Sequence, residues 1–564
     1  MKSFIIRVLV VVLFLGVFIW LINQAPDYDI EYKYNNGDLR VIVNDREITR
    51  ETNRLPEMAI MHNGEVMLSH NTIDILFDKD LYFEEKYNTF ITTSNDHRAD
   101  IKIGADSITM DGVEVPIKTP AIKTEYDYST DDRYAEKTNK KEIYYLPIED
   151  LKDVYDINVE FNDKLIITTH DKDIKTFNTD INESVELKYL EDGASKTIET
   201  INPGSLIYVF NYDEEKAFNK ARSSNGEIGY IDTNVIKGYN LEEFGKEKEK
   251  NNTERINIAW DSINPEAYSI GAKADRNKIS KLDAVCPTLI YLKNADGDIH
   301  YYDNAVREYM SWAKSCNYDV WLTFKNESIG NNIMTIDILS EFLNDMNSRN
   351  NAIKKLVNTC VNYGAQGINV DFEHIYYKDR FAFSQFVREL SIEAHKNNLI
   401  ASVCVNVPDG SEDWSLCYEH RNLAESADYI CLMAYDMSSN TVSSFAPYNW
   451  VADNVEKLVN RDKVEANKIL LGIDFGSALW TVKGDSKTRT VLFMTGAKKY
   501  LNGADWDEAA KQYYYESTNK NEYIWIEEKS SIKEKLTLID DYDLGGSAFW
   551  CLGQETSDVW EALD

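Results

Sequence analysis

Gly367-Ile-Asn369-Val-Asp371-Phe-Glu373 places a polar residue at every second position. A strand has a period of two, so Asn369, Asp371 and Glu373 share one face, with successive Cα atoms about 6.6 Å apart. Ile368, Val370 and Phe372 share the other face. Seven comparable apolar runs flank this one: Ile256–Asp261, Ala284–Leu292, Asp319–Phe324, Leu399–Asn406, Tyr429–Asp436, Ile469–Gly476 and Gly546–Leu552. Near-continuous hydrophobicity marks parallel strands covered on both faces. Amphipathic stretches such as Ile338–Val357 and Arg380–Lys396 supply helices between them. Eight β/α repeats predict an α/β architecture, a (β/α)8 TIM barrel over residues 254–564. The stretch from Ala478 to about Leu544 exceeds an ordinary loop and helix. It predicts a small insertion after strand seven that walls one side of a cleft.

Polar and aromatic residues gather where these runs end: Asp261, Asp371, Glu373, Tyr435, Asp436 and Trp550. In a barrel the C-terminal strand ends form one face, the face that carries active sites. Two carboxylates side by side in a partly dry pocket cannot both ionise at low cost, so one is pushed toward its acid form. A glutamic acid still protonated at neutral pH suits proton donation to a glycosidic oxygen. A structural or metal-binding acidic pair has the same pattern, and the strand alone leaves both readings open.

Three motifs narrow the choice. Gln366-Gly-Ile-Asn-Val-Asp-Phe-Glu373, Met433-Ala-Tyr-Asp436 and the run Gly-Gly-Ser-Ala-Phe-Trp550 stand in order on strands four, six and eight. Together they resemble glycoside hydrolase family 18, the chitinase-like barrels, whose strand-four signature is Asp-Gly-x-Asp-x-Asp-x-Glu. This chain departs from it at Gln366 and Asn369. The Gly-x-Asn-x-Asp-x-Glu form, Val285-Cys-Pro-Thr-Leu-Ile-Tyr-Leu-Lys-Asn-Ala-Asp-Gly297 and Trp525-Ile-Glu-Glu look like the spore-germination and cortex-lytic N-acetylglucosaminidase branch. The resemblance implies substrate-assisted hydrolysis, in which the sugar's 2-acetamido oxygen replaces an enzymic nucleophile. It implies Glu373 as general acid and base, Asp371 as orienter of the acetamido N–H, and Tyr435 as donor to the acetamido carbonyl. Trp550 would floor the pocket, Met433 belongs to its strand-six motif, and Asn369 and Asp436 are further sugar contacts. Trp260, Trp450 and Trp480 are candidates for neighbouring sugar subsites. The implied substrate is peptidoglycan or another N-acetylglucosamine-containing glycan, with no cofactor and no metal. The competing readings are a chitinase, a sugar-binding protein without catalysis, and an envelope scaffold.

Upstream, Leu68–Phe77 leading to Phe90–Thr93 and Leu146–Tyr155 leading to Ile166–Thr169 each read as a short helix followed by a hairpin. The α+β module spanning 30–172 resembles the copper-amine-oxidase N-terminal-like domain, a name that implies no copper here. Residues 177–245, with Pro203-Gly204 and Gly226-Glu-Ile-Gly-Tyr230, resemble a bacterial SH3-like β module. A charged linker, Lys246 to Glu254, precedes the barrel.

The 564 residues carry 61 Lys and Arg against 95 Asp and Glu, a net charge of -34. That balance argues against nucleic acid, whose phosphates require clustered basic residues. The seven cysteines include no CxxC pair and sit largely in apolar runs, as small buried hydrophobes do. Val8–Ile22 is uninterruptedly apolar or Gly, with Lys2 and Arg7 before it and Asp27, Asp29 and Glu31 after it. Extended back to Phe4 it is long enough for a transmembrane helix, residues 1–25 forming an uncleaved anchor. The positive-inside rule then puts the remainder on the cell-wall side of the membrane.

Overall fold

The structure, a computed structural model, describes residues 39–48, 58–94, 97–130, 137–169, 175–244, 255–263, 278–330, 333–437, 441–517, 519 and 521–563. The expected anchor lies outside the described residues. Among those described, no helix is long and apolar enough to cross a membrane. The chain divides into two compact units whose bounds cut across the expected modules. One takes residues 1–69, 126–141 and 157–245, and the other takes 70–125, 142–156 and 246–564.

The second unit contains the barrel. Its strands are β1 (Ile256–Asp261), β2 (Ala284–Leu292), β3 (Asp319–Lys325), β4 (Gly367–Asp371), β5 (Ile400–Asn406), β6 (Tyr429–Met433), β7 (Ile469–Asp474) and β8 (Gly546–Trp550). Each pairs in parallel with the next, and β8 returns to β1, so the sheet closes. Among the described residues the helices outside it are α1 (Asp303–Ser315), α2 (Ile336–Leu343), α3 (Met346–Tyr363), α4 (Arg380–Lys396), α5 (His420–Ser426), α6 (Tyr448–Glu456) and α7 (Lys529–Tyr542). The single helix expected over Ile338–Val357 is two, because the Asp345 side chain accepts from the Ser348 N–H and starts α3 afresh. Gly364 closes α3 in the left-handed conformation, φ 72°.

The alternation read on β4 is observed. Ile368, Val370 and Phe372 pack outward, with Phe372 5.6 Å from Phe386 and 5.1 Å from Phe324 between ring centroids. The interior below the pocket is plugged by Trp260, Cys286, Trp321, Cys404, Tyr429 and Cys431. Trp321 stacks on Tyr429 at 5.8 Å. Gly367 begins β4 because a Cβ there would meet the Trp321 ring at 2.7 Å. All seven cysteines are free, and all but Cys316 are buried, as their apolar contexts predict.

The small insertion expected after strand seven is present. Residues 476–526 form a five-stranded antiparallel sheet, while 529–542 is α7, an ordinary barrel helix. A reciprocal Glu528–Ser531 capping box starts α7. Its apolar positions Ile532, Leu538 and Ile539 turn inward.

Residues 82–116 of the same unit form five consecutive antiparallel strands. They pack on α3 and α4 through a buried charge network. Arg349 of α3, 0% exposed, donates to Glu389 of α4 at 3.0 and 3.1 Å and to Glu84 at 3.0 Å. Arg98 donates to Asn350 at 2.6 Å. In the first unit, residues 176–243 form a seven-stranded antiparallel sheet, as the β-rich reading expects, interrupted by one helical turn at Thr233–Ile236. Arg222 of that sheet donates to the Asn44 carbonyl at 2.8 Å and to Thr168 Oγ1 at 2.6 Å. Both predicted helix–hairpin pairs are present: His70–Leu76 precedes Tyr82–Ser94, and Lys152–Tyr155 precedes Asn158–Thr168.

Candidate active site

The C-terminal strand ends surround a cavity of about 690 Å³. Asp371, Glu373, Tyr435, Asp436, Trp550 and Met433 all line it, as expected. Asn369 does not. It is 0% exposed and lies deeper in the barrel, where its Oδ1 accepts from Trp260 Nε1 at 2.8 Å and its Nδ2 donates to Ser402 Oγ at 3.0 Å. With its amide committed on both sides, Asn369 is a support beneath Asp371, and the expectation of a sugar contact is corrected. Trp260 and Trp450 line the cavity. Trp480 is buried and donates to the Ser443 carbonyl at 2.7 Å, a packing role.

β4 ends at Asp371, so Glu373 stands two residues beyond the ladder. Asn326, just after β3, takes over the missing pairing. Its Oδ1 accepts from the Glu373 N–H at 3.0 Å, and its Nδ2 donates to the Glu373 carbonyl at 2.7 Å. The side chain of Glu373 is thereby held over the pocket on an anchored backbone. The Tyr418 hydroxyl donates to the Phe372 carbonyl at 2.8 Å from the opposite side.

Burial pushes the Glu373 carboxyl up to about 7, neighbouring Asp371 adds to the rise, and Lys325 opposes it. Burial likewise raises Asp371, against the pull of Lys325. Asp371 Oδ1 is buried with no hydrogen-bond partner among the described residues. An acceptor in that state fits a ligand N–H. Burial keeps the Tyr435 phenol protonated, so it is a donor. Asp436, in the left-handed conformation at φ 57°, pairs with Arg489 of the insertion, whose guanidinium lies 4.8 Å from the centre of the Phe445 ring. The insertion therefore supplies a cavity wall, with Arg489, Val491 and Phe493 lining it.

Sequence reasoning missed Lys325, Asn326, Glu327, Asp474, Trp414 and Arg489. The first three follow directly on an apolar strand run at the barrel's C-terminal face, the same signal that picked out Asp371. Lys325 is buried, 2.9 Å from Glu327 Oε1 and 3.6 Å from Asp371 Oδ2, with Nζ 5.8 Å from the centre of the Trp550 ring. Asp474 ends β7, and burial pushes it up to about 7. Trp414 is 46% exposed, stacked on His374 at 5.0 Å, and offers a flat apolar face at the cavity rim. Nothing local marked Arg489, whose partner is 53 residues away. Among the described residues no group of His, Cys, Asp or Glu is arranged to hold a metal ion.

The profile of glycosyl hydrolases family 18 matches residues 228–555, more than half of the chain. This chain belongs to that family. It is thus a glycoside hydrolase, and the closed eight-stranded barrel is the family's catalytic fold. It is 24% identical over 313 residues to the uncharacterized glycosylase YvbX of Bacillus subtilis (strain 168), covering 52% of this chain and 89% of that protein. It is 26% identical over 239 residues to the cortical fragment-lytic enzyme of the same organism, covering 39% of this chain and 54% of that one. The match thus spans about half the length of the second relative. The solved chitinase of Chromobacterium violaceum ATCC 12472 is 24% identical, covering 55% of this chain and 98% of its own, with a TM-score of 0.48.

Proposed function

We propose that this family 18 enzyme cleaves β-1,4 linkages after N-acetylglucosamine in peptidoglycan by substrate-assisted retention. The observation that carries the reading is the pairing of Glu373, pushed up to about 7, with Asp371, whose buried Oδ1 lacks a donor. Both carboxyls come from β4 and the two residues that follow it, and both line the same cavity. Glycosidases that use an enzymic nucleophile need carboxyls on opposite flanks of the scissile bond. Here the substrate's acetamido oxygen takes that place. It attacks the anomeric carbon as Glu373 protonates the departing oxygen. Asp371 Oδ1 accepts the acetamido N–H and stabilises the oxazolinium ion, and the Tyr435 hydroxyl donates to the acetamido carbonyl. Glu373, now a carboxylate, takes a proton from the water that opens the oxazolinium ring, which restores the acid and retains the anomeric configuration.

The choice of peptidoglycan over chitin is supported by similarity to a cortical fragment-lytic enzyme. It also fits the N-terminal segment, which we infer to anchor the chain with Tyr32–Asp564 on the cell-wall side. Purified peptidoglycan and chitin oligosaccharides are incubated in parallel with the full-length protein, and product ends are identified by mass. New reducing N-acetylglucosamine ends from peptidoglycan are expected. Cleavage of chitin oligosaccharides alone would replace this reading with a chitinase, and cleavage of neither with a sugar-binding protein.

A further inference from the structure

Among the described residues Lys325 is the one buried cation at the acid pair, and neither the family motifs nor the mechanism above uses it. Strand β3 ends at Lys325, which places its stem inside the barrel mouth. The ammonium is enclosed rather than free to swing. Glu327 holds it at 2.9 Å, Asp371 Oδ2 lies at 3.6 Å, and the Trp550 ring covers it at 5.8 Å. On β4, Asn369 stands where the resembling family signature has a second aspartate, and its amide is committed to Trp260 and Ser402. An amide has no proton to share with Asp371 and no charge to stabilise it. We propose that Lys325 is a positioning residue for the acid–base pair: its ammonium holds the negative charge on Asp371, so that the single proton of the pair resides on Glu373.

The asymmetry follows from distance, because Lys325 contacts Asp371 directly and acts on Glu373 only from farther away. The other groups facing the pair do not duplicate this role. Cys286 and Tyr291 of β2, Cys404 of β5, Tyr418 and Tyr435 are driven up by burial and stay neutral. Cys431 of β6 is a thiol within reach of the Asn369 amide at 3.8 Å. Glu327, Asp436 and Asp474 are carboxyls, which oppose a negative charge on Asp371. The remaining cation in the cavity wall, Arg489, pairs with Asp436. A neutral side chain at 325 would leave the proton free to move to Asp371. Glu373 would then be unable to donate, and Asp371 unable to accept the acetamido N–H.

The inference rests on the acid–base reading proposed above, and its test separates the two. Full-length protein, Lys325→Met, Lys325→Arg and Glu327→Gln are compared in the pH dependence of kcat/KM on an aryl β-chitobioside. Removing a cation raises a neighbouring carboxyl and removing an anion lowers it. The acid limb of Lys325→Met is therefore expected to move up by about one unit, roughly a tenfold loss on that limb. Lys325→Arg is expected to keep the wild-type limb, and Glu327→Gln to move it down. In the same proteins without substrate, carboxyl carbon-13 titrations assigned with Asp371→Asn and Glu373→Gln report the pair directly. Asp371 is expected to titrate before Glu373 in the wild type and to lose that order in Lys325→Met. Coincident limbs and midpoints in wild type and Lys325→Met would overturn the proposal, as would equal, pH-independent losses in the Met and Arg variants. If Lys325→Met does not fold, Glu327→Gln decides by sign, and an upward or absent shift overturns it. If the wild type hydrolyses no N-acetylglucosaminide, the function reading fails while the titrations still decide the placement of the proton.

Discussion

At the scale of single residues, the acid–base chemistry depends on how Glu373 is held as much as on its presence. The acid form must persist near neutral pH for proton donation, and the shift to about 7 means that kcat/KM falls as pH rises past about 7. An unshifted carboxyl would lose activity near 4 to 5 instead. Glu373→Gln keeps the shape and removes the proton, so hydrolysis is expected to drop by at least about 10²- to 10⁴-fold while sugar binding persists. Near-normal turnover in that variant would assign the acid elsewhere. Asn326 makes a second, less obvious prediction. Asn326→Ala deletes both bonds that replace the sheet ladder at Glu373. A small drift of a reacting group costs up to about 10²-fold, so kcat is expected to fall about 10- to 100-fold with KM little changed. A KM effect alone would make Asn326 a substrate contact rather than a brace.

At the scale of elements, the strand-seven insertion shapes the cavity without entering the chemistry. The strands Gly476–Lys483 and Ser486–Phe493 pair along their full length, and the second carries Arg489 to Asp436. Asp436 is mostly exposed, which limits an ion pair of this kind to about 0–1 kcal/mol. Arg489→Ala is accordingly expected to raise KM by no more than about 5-fold and to leave kcat in place. A fall in kcat would mean that the insertion organises the acid pair after all. Phe493, 50% exposed on the same wall, gives the insertion an apolar surface against which a sugar ring can rest.

At the scale of the molecule, the compact unit that holds the barrel takes in segments that precede the charged linker. Residues 70–125 and 142–156 belong to that unit, and Arg349 ties the first of these segments in through Glu84. A fragment starting near Asn251 removes Glu84 and Arg98 and leaves part of a buried charge network unmatched. Fully orphaning a buried charge costs about 3–5 kcal/mol. Glu389 still holds the guanidinium, so Glu84→Ala is expected to cost about 2 kcal/mol in denaturant unfolding. The fragment should be less stable than one starting at residue 70. Equal stability of the two fragments would make the barrel self-sufficient. For the whole chain, the apolar run at Val8–Ile22 predicts retention in the membrane fraction and shaving by protease added to wall-stripped cells. A released form beginning near Pro26 would show a cleaved signal instead.

The barrel was legible because its code is local. Ile368, Val370 and Phe372 alternate with Asn369, Asp371 and Glu373 along one short stretch, and a period of two assigns the faces without reference to anything distant. The same locality exposed the strand ends at Tyr435, Asp436 and Trp550. It also misled at Asn369, since period two puts that residue on the inner face but says nothing of depth, and one strand step separates a pocket from a plug. Asp345 divided a helix that hydrophobic periodicity had run together, because a cap is a single side chain that periodicity does not weigh. The remaining features are pairings over long separations. Asn326 braces Glu373 from 47 residues away, Arg489 reaches Asp436 across 53, and Arg349 meets Glu84 across 265. Apolar patterning by itself determined which faces are buried and in what order the strands run. Only the closed sheet decided which charges meet inside it, because the partner of a buried charge is set by the path of the chain in space and leaves no periodic trace along it.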